Sequence, residues 1–304
     1  MNTWKNRLLV AALAPIFLAG CRAAGAKIAA GAFAGSGDVM ARDDDPELVR
    51  AAVPFGLKTM EGLLAEIPDE DKLLASLTSS FTQYTWAFVL QDADMDELAG
   101  RSTLAREGHE RARKLFLRAR DYGLRALEER YTGMSEKLLS ARDLEPVLDQ
   151  ARVEDAPLLY WTAAAWALAI SNGKSDMTLV SQLPAPVAMM RRGMVLDESF
   201  DHGAFPEFFV TYEGGRTAAD GGGADAARAY LDRALYLSGG KRLGVRVSYA
   251  ESVLVRQQNR PEFERVLREV LAADVDAAPQ FRLANVLAQR RARALLDHAD
   301  DLFA

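Results

Sequence analysis

The chain has 304 residues, with 37 Lys and Arg against 43 Asp and Glu and a formal net charge of −6. That balance excludes nucleic acid as a partner, because phosphate binding needs a net basic face, and it excludes adsorption onto anionic headgroups. A single cysteine excludes an internal disulfide, so packing alone must hold any folded body together.

The N-terminus reads as an export signal. Lys5 and Arg7 precede an apolar run from Leu8 to Leu18, which is shorter than the roughly 20 residues a membrane-spanning helix needs. Leu18-Ala19-Gly20-Cys21 closes it with small residues before the thiol, the pattern of a lipoprotein cleavage site in which Cys21 accepts a diacylglyceryl group. Residues 1–20 are therefore the signal peptide. Removing them leaves 284 residues and a net charge of about −8, ample for a substantial core. Residues 21–42, rich in Gly and Ala with Gly35-Ser36-Gly37, read as a flexible tether, and residues 43–304 as the folded body.

The body starts at Asp43-Asp44-Asp45-Pro46, an acidic cap before Pro at the first helical position. Leu48, Ala52, Phe55, Met60, Leu63 and Leu64 recur at helical steps until Ile67-Pro68-Asp69. Leu73, Leu77, Phe81, Tyr84 and Phe88 continue the period, and a polar stretch follows. Ala112, Leu115, Phe116, Ala119, Tyr122, Ala126 and Leu127 then share one face of an amphipathic helix. Pro157 to Ile170 is apolar on nearly all sides and is expected at the centre. Helices are expected over 187–196, 204–212, 224–237, 245–255, 261–272 and 279–302, punctuated by Gly214-Gly215, Gly221 to Gly223 and Gly239-Gly240. No period-two run supports a strand, and the reading is all-α.

These helices pair as 157–170 with 187–196, 204–212 with 224–237, and 245–255 with 261–272. Successive pairs begin roughly 40 to 47 residues apart, near the spacing of helical-hairpin repeats. Met190 to Asp197 aligns with Leu231 to Ser238, with small Gly193 and Ala234 at the same position. A degenerate tetratricopeptide-like array, an α-solenoid, is the reading; an irregular helical bundle is the alternative.

Catalytic chemistry is poorly provided for. His109, His202 and His298 lie in separate segments without metal-ligand spacing, and no metal site or cofactor is expected. Asp43-Asp44-Asp45 lacks the alternating ligands of a calcium loop. Glu207 and Glu213, six apart, fall on different faces. The chain is read as no enzyme. Two clusters carry a functional reading beside a structural one. Tyr84, Trp86 and Phe88, with Tyr160, Trp161 and Trp166, are either packing between helices or the wall of an apolar groove. Gln289-Arg290-Arg291-Ala292-Arg293 is either a solvated face or, through Arg290, a contact for an anionic group.

Longer blocks carry a resemblance. They include Asp45-Pro46-Glu47-Leu48-Val49-Arg50, Phe81-Thr82-Gln83-Tyr84 with Trp86-Ala87-Phe88-Val89, and Ala119 to Leu127. Leu158 to Trp166, Leu196 to Gly203, Leu237 to Arg242, Tyr249-Ala250-Glu251-Ser252, Glu262-Phe263, and Leu283-Ala284-Asn285 with Ala288-Gln289-Arg290-Arg291-Ala292 complete the set. Together with the lipobox they resemble TatT, the T-component lipoprotein family associated with tripartite ATP-independent periplasmic (TRAP) transporters. The resemblance implies a trimeric helical-repeat body beside a periplasmic solute-binding P-component, with a pore that passes or holds a hydrophobic ligand, and no enzymatic activity. Tyr84, Trp86, Tyr160, Trp161 and Arg290 are the expected ligand-facing residues. Arg22 after the lipidated cysteine favours an outer-membrane anchor facing the periplasm. The rival expectation is a scaffolding lipoprotein of the envelope with no small-molecule ligand.

Overall fold

The computed structural model describes residues 37–303. The signal segment, Cys21 and the tether up to residue 36 lie outside the described residues. The described part is helical, without a strand. In chain order the helices are α1 Gly37–Ala41, α2 Pro46–Glu66, α3 Asp71–Tyr84, α4 Gln91–Leu98, α5 Ser102–Arg130, α6 Met134–Ser140, α7 Leu144–Leu148 and α8 Ala156–Ser171. They continue as α9 Met177–Val180, α10 Pro184–Leu196, α11 Ala204–Gly214, α12 Ala224–Leu237, α13 Gly244–Tyr249, α14 Arg260–Ala272, α15 Arg282–Asp297 and α16 Ala299–Leu302. Two π-helical segments, Thr85–Leu90 and Ala250–Leu254, join α3 to α4 and extend α13.

Local chemistry explains the boundaries. The Asp45 carboxylate accepts a hydrogen bond from the Leu48 N–H at 3.0 Å, and Pro46 occupies the first turn, where its missing N–H costs nothing. Ile67 ends α2 as expected. In α5, Ala112, Phe116, Ala119, Ala126 and Leu127 are fully buried, and Leu115 and Tyr122 pack at the margin. The apolar helix α8 is central, in contact with α3, α5 and α10. Its approach to α5 depends on Gly123, where a Cβ would stand 2.1 Å from Thr162 Oγ1.

Each hairpin expected from the sequence is a packed pair: α8 with α10, α11 with α12, and α13 with α14. At the aligned small positions, Ala234 is buried and Gly193 lies against Phe205, whose ring carbon is 2.2 Å from where a Cβ would be. Two apolar cores result, one uniting the helices from α2 to α11 apart from α4, and one uniting those from α11 to α16, against which Leu98 of α4 packs. A third, small cluster of Val49, Ala87, Phe88 and Leu287 closes the seam between α2, the first π segment and α15. Helix α1, inside the expected tether, also packs on α15.

Several boundaries differ from expectation. The polar stretch after Phe88 is helical: α4 fills it, and α5 begins ten residues before the amphipathic stripe. The expected helix over 245–255 is an α-helix only to Tyr249, and the one over 279–302 divides into a 3-10 turn, α15 and α16.

Candidate functional site: an aromatic recess at Tyr160

Tyr160 and Trp161 begin the second turn of α8 and form the site with residues brought from α11 and the loops around it. The Tyr160 ring meets Trp161 edge-on at 4.9 Å, Phe205 edge-on at 5.3 Å and Phe200 tilted at 5.4 Å. Phe205 is fully buried and seated over Gly193; Tyr160, Trp161 and Phe200 are half-buried. Burial, and then the charge of Glu207, pushes the Tyr160 phenol well above its ordinary pKa, and its hydroxyl has no hydrogen-bond partner among the described residues. Half-buried Tyr160, Trp161 and Phe200, backed by buried Phe205, thus form a partly open aromatic recess.

One wall of this recess is charged. Arg242 donates to Glu207 at 2.9 and 2.7 Å, and to the Asp201 carboxylate and carbonyl at 2.8 and 3.0 Å. Its guanidinium also lies 5.7 Å from the centre of the Phe281 ring. Burial would lower the Arg242 pKa, but Glu207 and Asp201 outweigh it and hold the group firmly protonated. The loop that delivers Asp201 is strained: Asp201 and His202 both sit at left-handed φ, 43° and 56°, a conformation that side chains adopt at a cost. His202 is held there edge-on to Phe281 at 4.9 Å. Two carboxylates against one guanidinium leave the wall net negative.

The other expected ligand residues lie elsewhere. Tyr84 packs tilted on Phe88 at 5.7 Å, beside the apolar seam, and Trp86 retains 38% of its surface. Neither makes a ring contact with the Tyr160 group. Arg290 spends both terminal nitrogens on Glu47, at 2.6 and 2.9 Å. Trp166 is wholly buried, its indole donating to Gln182 Oε1 at 3.1 Å, which makes it a core residue. The aromatic helices thus divide into one recess and one seam. Arg242, Phe205 and Phe281 are recess residues that the sequence does not single out, and Glu207 enters it only as a discounted acid–base partner of Glu213.

A second polar centre surrounds Arg291. Its guanidinium donates to Glu251 at 2.5 Å and lies 3.4 Å from Asp94. Burial would lower the Arg291 pKa, but Glu251 and Asp94 hold it above its usual value. This centre lines a groove of about 410 Å³ between α4, α15, α16 and the second π segment.

The described residues thus form an all-helical body that carries an aromatic cluster beside a guanidinium held by two carboxylates. The family model described as TRAP transporter T-component matches residues 42–303, and the chain belongs to that family. It is also similar to an uncharacterized protein of Treponema pallidum (strain Nichols), 28% identical over 270 residues that cover 87% of this chain and 82% of the relative. The family is one of transporter accessories and not of known enzymes. No helix among the described residues is long and apolar enough to cross a membrane.

Proposed function

We propose that the chain is a periplasm-facing T-component, anchored through lipid on Cys21, that docks a solute-binding P-component and holds a hydrophobic ligand in the Tyr160 recess. The recess carries this reading: three aromatic rings centred within 6 Å of the Tyr160 ring, whose phenol is unpartnered, offer apolar contact and one hydrogen bond. Its net negative wall selects against a carboxylate or phosphate head, so the ligand is a neutral or cationic amphiphile. The paired helices support a tetratricopeptide-like array, whose extended surface suits docking. A homotrimer and an outer-membrane anchor complete the proposal.

Native mass spectrometry of the full chain, extracted in mild detergent with its neighbours, tests it. A solute-binding protein of defined stoichiometry and a bound apolar molecule are expected, with the molecule lost in Tyr160→Ala/Trp161→Ala and retained in Trp86→Ala. A chain that carries neither would be the scaffold, with the aromatics serving only to pack.

A further inference from the structure

Three metal-ligating side chains meet where α4 packs on α5. Asp94 and Glu97, one turn apart on α4, and His109 of α5 bring one donor atom each to within 4.8 Å of one another. His109 Nε2 lies 3.3 Å from Glu97 Oε2 and 3.8 Å from Asp94 Oδ1.

The other ring nitrogen decides what Nε2 can do. Nδ1 is 2.9 Å from Asn172 Oδ1. The Asn172 amide is oriented by its own Nδ2, which donates to the Leu168 carbonyl at 2.8 Å and to Ser171 Oγ at 3.3 Å. The amide oxygen is therefore what meets His109, and because that oxygen can only accept, Nδ1 carries the proton. In a neutral ring Nε2 then presents its lone pair to two carboxylates. Three lone-pair-bearing atoms then face one another within 4.8 Å, an arrangement that a divalent cation would complete.

We propose that Asp94, Glu97 and His109 bind a first-row divalent transition ion, represented by Zn²⁺. In a tetrahedral zinc site with bonds of about 2.0–2.1 Å, neighbouring ligand atoms stand about 3.3–3.4 Å apart, close to the His109–Glu97 separation. Asn172 provides the hydrogen bond behind the imidazole that metal-bound histidines ordinarily have. Asp94 offers Oδ1 to the ion and Oδ2 to Arg291, so the two cations do not compete for one oxygen. The groove beside the cluster supplies both access and field: Asp94, Glu97, Glu251 and Asp301 line it against the single guanidinium of Arg291.

The test is isothermal titration of ZnCl₂ into the full, chelator-stripped chain in detergent, with metal content read by plasma mass spectrometry and folding by circular dichroism. One equivalent of zinc per chain is expected. Glu97→Gln, at an exposed position that leaves the fold intact, and His109→Ala should each weaken binding at least tenfold. Asn172→Ala, which touches no ion, should weaken it about tenfold by releasing the ring. His298→Ala, which removes the imidazole 3.2 Å from Asp301, should change nothing. Absence of uptake by the native chain would overturn the proposal. Zinc lost with His298→Ala but kept with Glu97→Gln would overturn it as well.

Discussion

Arg290 and Glu47 stand 243 residues apart in sequence and form a two-pronged ion pair across the seam between α15 and α2. The hydrogen bond from Arg290 holds the Glu47 carboxyl down at about 2, below its ordinary value. Both groups are largely open to water, so solvent screens the attraction. Arg290→Ala should therefore lower stability by less than about 1 kcal/mol in urea titrations, and should leave ligand retention unchanged. Loss of the bound apolar molecule in this variant would restore Arg290 to the ligand site.

Arg242 is a different kind of cation. Removing it leaves part-buried Glu207 and exposed Asp201 without their shared cation, a loss of about 1–3 kcal/mol, above that of an exposed pair and below that of a fully buried one. Arg242→Ala should show a loss of that size by chemical denaturation. Arg242→Lys should recover only part of it, because an ammonium cannot reproduce the planar fork that spans two carboxylates.

Gly193 is where α10 admits the Phe205 ring. A methyl group there meets fully buried aromatic carbon, so Gly193→Ala should destabilise by about 1–3 kcal/mol through overpacking. The urea midpoint should fall with an unchanged slope. The double variant Gly193→Ala/Phe205→Leu should recover part of the loss, and failure to do so would place the strain elsewhere.

Much of this architecture is legible in local chemistry. Asp45-Pro46 announces a helix start, and the all-round apolar character of Leu158 to Ile170 announces a central helix. Gly193 stands out as the small member of a repeated pattern. Helix α4 is invisible to periodicity because Asp92, Asp94 and Asp96 fill its turns and Ala93 alone is buried. The recess is half legible: aromatic density marks Tyr160 and Trp161, whereas Arg242 reaches Glu207 from 35 residues away along a loop bent through left-handed backbone. No spacing rule encodes that. His109 likewise finds its carboxylates on another helix, so a search for ligand spacing within one segment passes over it.

Asp155 gives the protein an acid limit. Burial alone would raise its pKa, but the Arg152 N–H at 2.8 Å, the Tyr131 hydroxyl at 2.5 Å and Arg130 at 2.5 Å outweigh it and hold the carboxyl below its usual value. Glu128 is lowered too, chiefly by the N–H groups of Gly133 and Ser135. Such groups bind protons more readily in the unfolded chain. Their stabilisation is complete above the unfolded carboxylate pKa of about 4 and is lost as pH falls through the folded values. Stability measured by urea should be level from pH 7 to 5 and then decline. Asp155→Asn should be less stable at pH 7 and lose less on acidification.

Cys21→Ser should abolish acylation and leave the signal uncleaved, with the protein released from membranes once residues 1–20 are removed by design. Mass measurement of the N-terminal peptide and membrane fractionation check both points. An acylated, membrane-bound serine variant would refute the lipobox reading.

The two π-helical segments bear on how this protein tolerates change. One lies just ahead of Asp92 and Asp94, and the other contains Glu251, so each precedes or holds a carboxylate directed at an arginine. An α-helix advances about 100° per residue. A π turn spends about one extra residue on the same rotation, so deleting one residue from Thr85–Leu90 would restore ordinary winding and keep Asp92 facing Arg50 and Asp94 facing Arg291. The π segment is thus where the helix can lose a residue without turning the polar contacts that follow.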